Sequence, residues 1–250
     1  MSFSYIIPFK YTNDRFETLK RVLENIKDLG CETIIIEQGK ESILPTKEVN
    51  YNFKYIFLYN DMPFNKSWSL NIAYREASFD KIVFGDADNL IETKYILEGI
   101  SELDSFEMVS PHCRLIDLSQ EESKTDFSNI WSINRPGRGE TDHQKMTLCG
   151  AMTMFRKEAL EKIAGWPEEF IGWGAEDDAM SIKVQHFLNW KCFDYNCYHL
   201  WHEKAIVEQN LYYRNLYIYN NYLKATKESF SEYIEKVRPF VGDKNKKLVV

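Results

Sequence analysis

The chain is predicted to be one α/β domain with a mixed, mostly parallel central sheet flanked by helices. Three observations carry that expectation. Short apolar runs alternate with helical patterns through the first half, 250 residues suit one large domain, and no repeat or linker-like segment divides them. Ser4–Pro8 (SYIIP) reads as a buried strand. Asn13 or Asp14 is expected to cap a helix to about Leu29, with Phe16, Leu19, Leu23 and Ile26 on one face and Gly30 as its stop. Cys31–Glu37 and Tyr55–Tyr59 read as the next strands, Ser67–Ala77 as a helix, and Lys81–Gly85 as a fourth strand.

Beyond Asp88 the pattern loosens. A helix is expected over Thr93–Leu103 and a strand over Glu107–His112. From Asp117 to Lys145, through Arg135-Pro136-Gly137-Arg138-Gly139, the chain is polar without clear period, which reads as a functional loop or a partly disordered one. Cys149–Phe155 returns to strand character. Short helices are expected over Arg156–Ala164, stopped by Gly165, and over Glu176–Leu188. Lys191–Tyr198 reads as the last strand, and Ala205–Val237 as helical and rich in Tyr and Asn.

Composition narrows the function classes. A formal net charge of −7 argues against a nucleic-acid backbone as the main partner, since such binding rests on clustered Lys and Arg. The five cysteines (Cys31, Cys113, Cys149, Cys192, Cys197) form no CxxC pair, so neither a structural zinc site nor a disulfide framework is indicated. No signal peptide or membrane-spanning segment is visible, and a cytoplasmic location is expected. The basic tail Lys244–Lys247 reads as solvated.

Three clusters are candidates for chemistry. Asp86-Ala87-Asp88 follows a buried strand, where ligands of parallel sheets collect, and two carboxylates there suit a divalent cation against a diphosphate. The plain alternative is a turn, because Asp and Asn favour strand-ending loops. Gly172-Trp173-Gly174-Ala175-Glu176-Asp177-Asp178 starts a helix with three acids. Those acids complement the helix dipole, but that does not explain a tryptophan between glycines. An aromatic platform beside a carboxylate suits a sugar whose hydroxyl meets a base. Tyr198-His199-Leu200-Trp201-His202 offers two imidazoles to a metal, whereas His112, His143 and His186 lack such a context.

Taken in order, these segments resemble the beta-1,4-galactosyltransferase family and its bacterial relatives of the GT-A fold. The match is carried by Ile6-Ile7-Pro8-Phe9-Lys10, by the stretch Phe64-Asn65-Lys66-Ser67-Trp68 through Ala77, by Asp86-Ala87-Asp88, and by Gly150 through Asp178. The resemblance implies a nucleotide-diphospho-sugar transferase that uses Mn²⁺ or Mg²⁺. It implies a UDP-sugar donor contacted by Pro8, Phe9, Lys10, Arg15, Lys66, Asp86, Ala87, Asp88 and Trp173. It further implies an acceptor hydroxyl met by Trp173, Gly174, Glu176 and Asp178, with Asp177 as general base. Asp88 with His199 or His202 would hold the metal. Residues 1–90 would form the nucleotide-sugar half, 91–204 the acceptor and metal half, and 205–250 a helical extension. The Asp117–Lys145 loop with Trp173 would close over the donor. Ala175 departs from the family's third glycine, and HLWH leaves the ligating histidine open.

Two other functions fit the same sequence. A catalytically silent nucleotide-sugar or carbohydrate binder has no need of the acids at Glu176–Asp178. A nucleotidyltransferase would want a Gly-rich loop where this chain has Lys10-Tyr11-Thr12-Asn13. For the Tyr-rich C-terminal segment, core packing, an acceptor groove and a homodimer contact are the three expected uses.

Overall fold

The structure is a computed structural model describing residues 2–138, 148, 150–204 and 206–246. Expectations that fall on Gly139, His143, Lys145, Cys149, Ala205 and Lys247 lie outside those residues.

The first half is built as read. Strands β1 (Ser4–Phe9), β2 (Glu32–Gly39), β3 (Lys54–Tyr59) and β4 (Lys81–Gly85) lie parallel in the order β3-β2-β1-β4. Helices α1 (Asn13–Ile26) and α2 (Lys66–Arg75) cover opposite faces. Alternation along β1 explains this: Tyr5, Ile7 and Phe9 join Phe16, Leu19 and Leu23 of α1, while Ile6 joins Trp68, Leu70 and Ile72 of α2. Each fully buried side chain of this kind contributes about 1.5–3 kcal/mol.

The second half adds β5 (Asn89–Leu90), α3 (Thr93–Glu102), β6 (Met108–Ser110), β7 (Arg114–Asp117), α4 (Phe127–Trp131), β8 (Met152–Arg156), α5 (Lys157–Lys162), α6 (Glu176–Phe187), β9 (Trp190–Cys192), β10 (Asn196–His199), α7 (Gln209–Lys224) and α8 (Lys227–Val237). The central sheet runs β3-β2-β1-β4-β8-β6-β9, with β8 antiparallel to both its neighbours. A three-stranded sheet, β5-β10-β7, stands beside the carboxyl end of β4.

Several boundaries differ from the sequence reading. Thr12, not Asn13 or Asp14, caps α1, its side chain accepting from the Arg15 amide. The expected strand over Lys191–Tyr198 is two strands in different sheets, because Phe193–Tyr195 turn the chain off β9 and into β10. The polar stretch after Asp117 carries α4, whose Ile130 is fully buried. The long C-terminal helix breaks at Ala225, and a capping box of Thr226 and Ser229 starts α8.

Behind α8 the chain returns across α2. The indole of Trp68 donates to the Asp243 carbonyl at 2.9 Å, and Lys244 meets Glu76 at 2.7 Å. Buried Glu168 accepts from the Gly242 amide, Lys246 and Asn71. No helix among the described residues is long and apolar enough to cross a membrane.

Candidate active site

The start of α2 is fixed by amides. Gln38 Oε1 accepts from the Asn65 amide and from Asn60 Nδ2, both at 2.7 Å, while Gln38 Nε2 donates to Ser69. Asn65 then caps the helix by accepting from the Trp68 amide and donates to the Glu168 carbonyl. All of these groups are buried, so each bond is costly to lose. The network places the next residue, Lys66, at the mouth of the sheet.

Lys66 Nζ lies 3.0 Å from Asp86 Oδ1, 3.1 Å from Asp86 Oδ2 and 3.7 Å from Asp177 Oδ1. One ammonium therefore joins the acid that leaves β4 to the acid that opens α6. Asp86 also accepts from the Ala151 amide at 3.2 Å. Gly150 and Ala151 both adopt left-handed φ, of 80° and 66°. A Cβ at Gly150 would lie 3.0 Å from Asp177 Oδ2, so glycine leaves the space that this carboxylate uses.

The electrostatics set the acids apart. Burial raises Asp177, Lys66 opposes it, and the charges of Glu176, Asp86 and Asp178 add to the rise, giving about 7. The side chain keeps 21% of its exposure, yet Oδ1 is sealed and has no hydrogen-bond partner among the described residues. Burial also raises Glu176 and Asp178. Lys66 is lowered by burial, but Asp177, Asp86 and Glu176 outweigh this and keep it charged.

Beyond Asp86 the backbone passes through buried Ala87 to Asp88, which faces the small sheet. His202 Nε2 stands 3.2 Å and Arg15 Nη1 3.6 Å from Asp88 Oδ2. The Asp88, His199 and His202 ligand atoms all lie within 4.8 Å of one another, a carboxylate and two imidazoles suited to a divalent cation. Both histidines, rather than one, join Asp88. Burial alone would raise Asp88, but the His202 hydrogen bond and the charges of His199 and Arg15 bring it down to about 2. It is a carboxylate at neutral pH. Burial lowers His199, favouring the neutral imidazole that ligates metals, whereas the bond to Asp88 raises His202. Asp117 Oδ1 holds His199 Nδ1 at 3.1 Å and orients the ring.

Trp173 projects with 63% exposure between Gly172 and Gly174, whose φ angles are 73° and 108°. Ala175 takes φ 70°, a left-handed conformation that suits the glycine expected there. Tyr212 of α7 stacks on Trp173, with ring centroids 5.6 Å apart and planes at 29°.

The other expected residues are distributed as follows. Lys10 lines a cleft of about 370 Å³ at the carboxyl ends of β1 to β3, with Gln38, Gly39, Asn60 and Asp61. Pro8 and Phe9 are buried in β1, with the Phe9 ring in the core. His112 is buried and held neutral, at about 4, by that burial. His186 packs on Phe187 and Phe230. Asp117, Gln38 and Tyr212 were not singled out from sequence. Asp117 pairs with His199 only because β7 and β10 lie in register, a long-range pairing that local pattern does not reveal.

Comparison with known proteins places this geometry. The family model described as glycosyl transferase family 2 matches residues 4–164. The chain belongs to glycosyl transferase family 2. A second model, described as the N-terminal domain of galactosyltransferase, matches residues 140–202 of this family 2 member, which carry Trp173, Asp177, His199 and His202. Poly-beta-1,6-N-acetyl-D-glucosamine synthase of Staphylococcus epidermidis is 26% identical over 184 residues, 68% of this chain and 43% of that protein. The chain thus spans less than half the length of that curated relative. Drosophila beta-1,4-galactosyltransferase 7, solved with manganese, UDP-Gal and xylobiose, superposes with a TM-score of 0.51 at 17% identity, over 76% of this chain and 64% of that one. S. aureus TarS (residues 1–349) superposes with a TM-score of 0.60 at 15% identity, over 96% of this chain and 72% of that one. The fold is the galactosyltransferase-like GT-A fold.

Proposed function

We propose that this family 2 member is a metal-dependent, inverting glycosyltransferase. It moves a hexose of the galactose or N-acetylhexosamine type from a UDP-sugar to an acceptor hydroxyl. The observation that carries the reading is Lys66, whose ammonium reaches both Asp86 and Asp177 beside the Asp88, His199 and His202 set.

The donor nucleotide is assigned to the cleft that Lys10 lines, with Arg15 and Lys66 towards its phosphates, Asp86 near its ribose and the metal, and Pro8, Phe9 and Ala87 as the backbone beneath. Asp88, His199 and His202 would hold a divalent cation, with Mn²⁺ favoured by the Drosophila protein's complex, and that cation would supply neutralising charge to the departing nucleoside diphosphate. Asp177 takes the proton from the acceptor hydroxyl. As the oxygen bonds to C1, the C1–phosphate oxygen bond breaks on the opposite face. A base near pH 7 is matched to that task. Glu176 and Asp178 accept the other acceptor hydroxyls, and Trp173 with Gly174 bounds the sugar. In this reading residues 1–90 serve the donor and lend Asp88 to the metal, and residues 91–204 supply His199, His202 and the acceptor site.

The test is release of UDP from a panel of UDP-sugars with MnCl₂ or MgCl₂, with EDTA as control. Metal-dependent release by the wild type, lost in Asp177→Asn while donor binding persists, is the expected result. Near-normal transfer by Asp177→Asn removes the base assignment, and inertness towards every nucleotide sugar removes the transferase reading.

A further inference from the structure

We infer that the outer face of α7 is an acceptor platform for an oligosaccharide of more than one residue. The inference rests on the glycosyl-transfer reading of the neighbouring site and extends it to substrate class.

Helix geometry puts Asn210, Tyr213, Tyr217, Asn220 and Asn221 on one stripe, since spacings of three, four and seven residues return to the same side. Tyr213 and Tyr217 are 64% and 70% exposed, and the three asparagines are exposed as well. From Tyr213 to Asn221 the stripe covers about 12 Å of helix, room for more than a single hexose ring. The whole of α7, QNLYYRNLYIYNNYLK, contains no Asp or Glu, although the chain carries 38 acids. Rings flanked by neutral amides match the two faces of a sugar: apolar C–H groups stack on the ring, and hydroxyls bond to the amide.

The stripe is continuous with the candidate active site. Tyr212 stacks on Trp173, and its ring lies 5.9 Å from that of Tyr213. A Cβ at Gly174 would come within 3.1 Å of the Tyr212 ring, so the glycine lets helix and turn close together. Asn215 Nδ2 fastens the two by donating to the Ile171 and Trp173 carbonyls, at 3.0 and 3.4 Å. Trp173, Tyr212 and Tyr213 are thus linked ring to ring, and Tyr217 stands one helical turn beyond Tyr213 on the same stripe. A monosaccharide at Trp173 would leave the outer two rings unused.

The test compares N-acetylglucosamine with its β-1,6-linked dimer and tetramer, and xylose with xylobiose. Binding is followed by intrinsic fluorescence with UDP and Mn²⁺ present, and transfer by steady-state kinetics. Oligomers are expected to bind more tightly than their monomers. Tyr213→Ala and Tyr217→Ala should each cut that preference on the order of tenfold, with Tyr→Phe retaining most of it. Equal affinity for monomer and oligomer, no oligomer binding by the wild type, or a preference untouched in the alanine variants overturns the inference. So does a solution dimer that alanine at both positions dissociates, because the rings then belong to a second copy. Melting temperatures check that the variants fold. Donor hydrolysis without acceptor is measured alongside. Its absence defeats the transferase reading, whereas hydrolysis without oligomer preference defeats the platform alone.

Discussion

Replacing Lys66 by methionine keeps most of the side-chain length and removes the charge that Asp86 and Asp177 share. Asp177 stands at about 7 with that ammonium 3.7 Å away, burial and neighbouring acids pushing up and Lys66 pulling down. An opposite charge at this range lowers a carboxyl by about 1–3 pKa units, so its loss should raise Asp177 by about that much. A base that must be ionised then loses activity at pH 7 by about 5- to 500-fold, the range spanned by shifts of one to three units. The assay is kcat/KM against pH, with donor and metal fixed. The wild type should gain activity as pH rises through about 7, and the Lys66→Met limb should lie higher. A limb that stays in place or moves down refutes the electrostatic account, even if the variant is slow.

The same group makes a prediction about stability. Asp177 has a folded pKa raised above 3.8, so its stabilising contribution is full below about 4 and is lost as pH rises through 7. Asp177→Asn should therefore melt higher than wild type at pH 8, by about 1–4 kcal/mol in stability, with a smaller gap at pH 5 and none near pH 4; calorimetry at the three values decides. Asp88, lowered to about 2, has the opposite sign: its contribution is present above about 4 and is lost as pH falls through 2. Asp88→Asn and His202→Ala should each weaken Mn²⁺ binding by about 100-fold or more in titration calorimetry, and unchanged affinity would dismiss the cluster as a cation site. Gly85→Ala should destabilise the fold by about 1–3 kcal/mol, because its Cβ would fall 2.2 Å from the buried Tyr5 hydroxyl; denaturant melts test this. Ala175→Gly should be neutral or stabilising by about 1 kcal/mol, since relief of a left-handed alanine offsets glycine's greater freedom when unfolded.

What could be read from sequence follows from how local each signal is. Lys81–Gly85 was legible to the residue because an apolar run, a glycine and two acids fall together. Gly30 and Gly165 marked helix ends for a local reason, both taking left-handed φ. The site's acids and histidines were legible as types at strand and helix ends. Their convergence was not, because Lys66 meets Asp177 across more than a hundred residues. Only the resemblance brought those segments together in advance. β5 and β7 escaped notice because two- and four-residue strands have no period of their own and exist through pairing with β10. Tyr212 looked like one ring among many, and its stacking on Trp173 depends on how α7 crosses the Gly-Trp-Gly turn.

The return of the chain across α2 has a practical corollary. Lys66 opens that helix, and Trp68 and Asn71 on it, with Glu76 capping its C-terminal end, are tied, directly or through Glu168, to residues 242–246. A shortened variant ending near Phe240, or a protease nick there, would strip the brace from the element that aims the bridging cation. Expression designs that trim this end for solubility should therefore show altered pH profiles before they show unfolding.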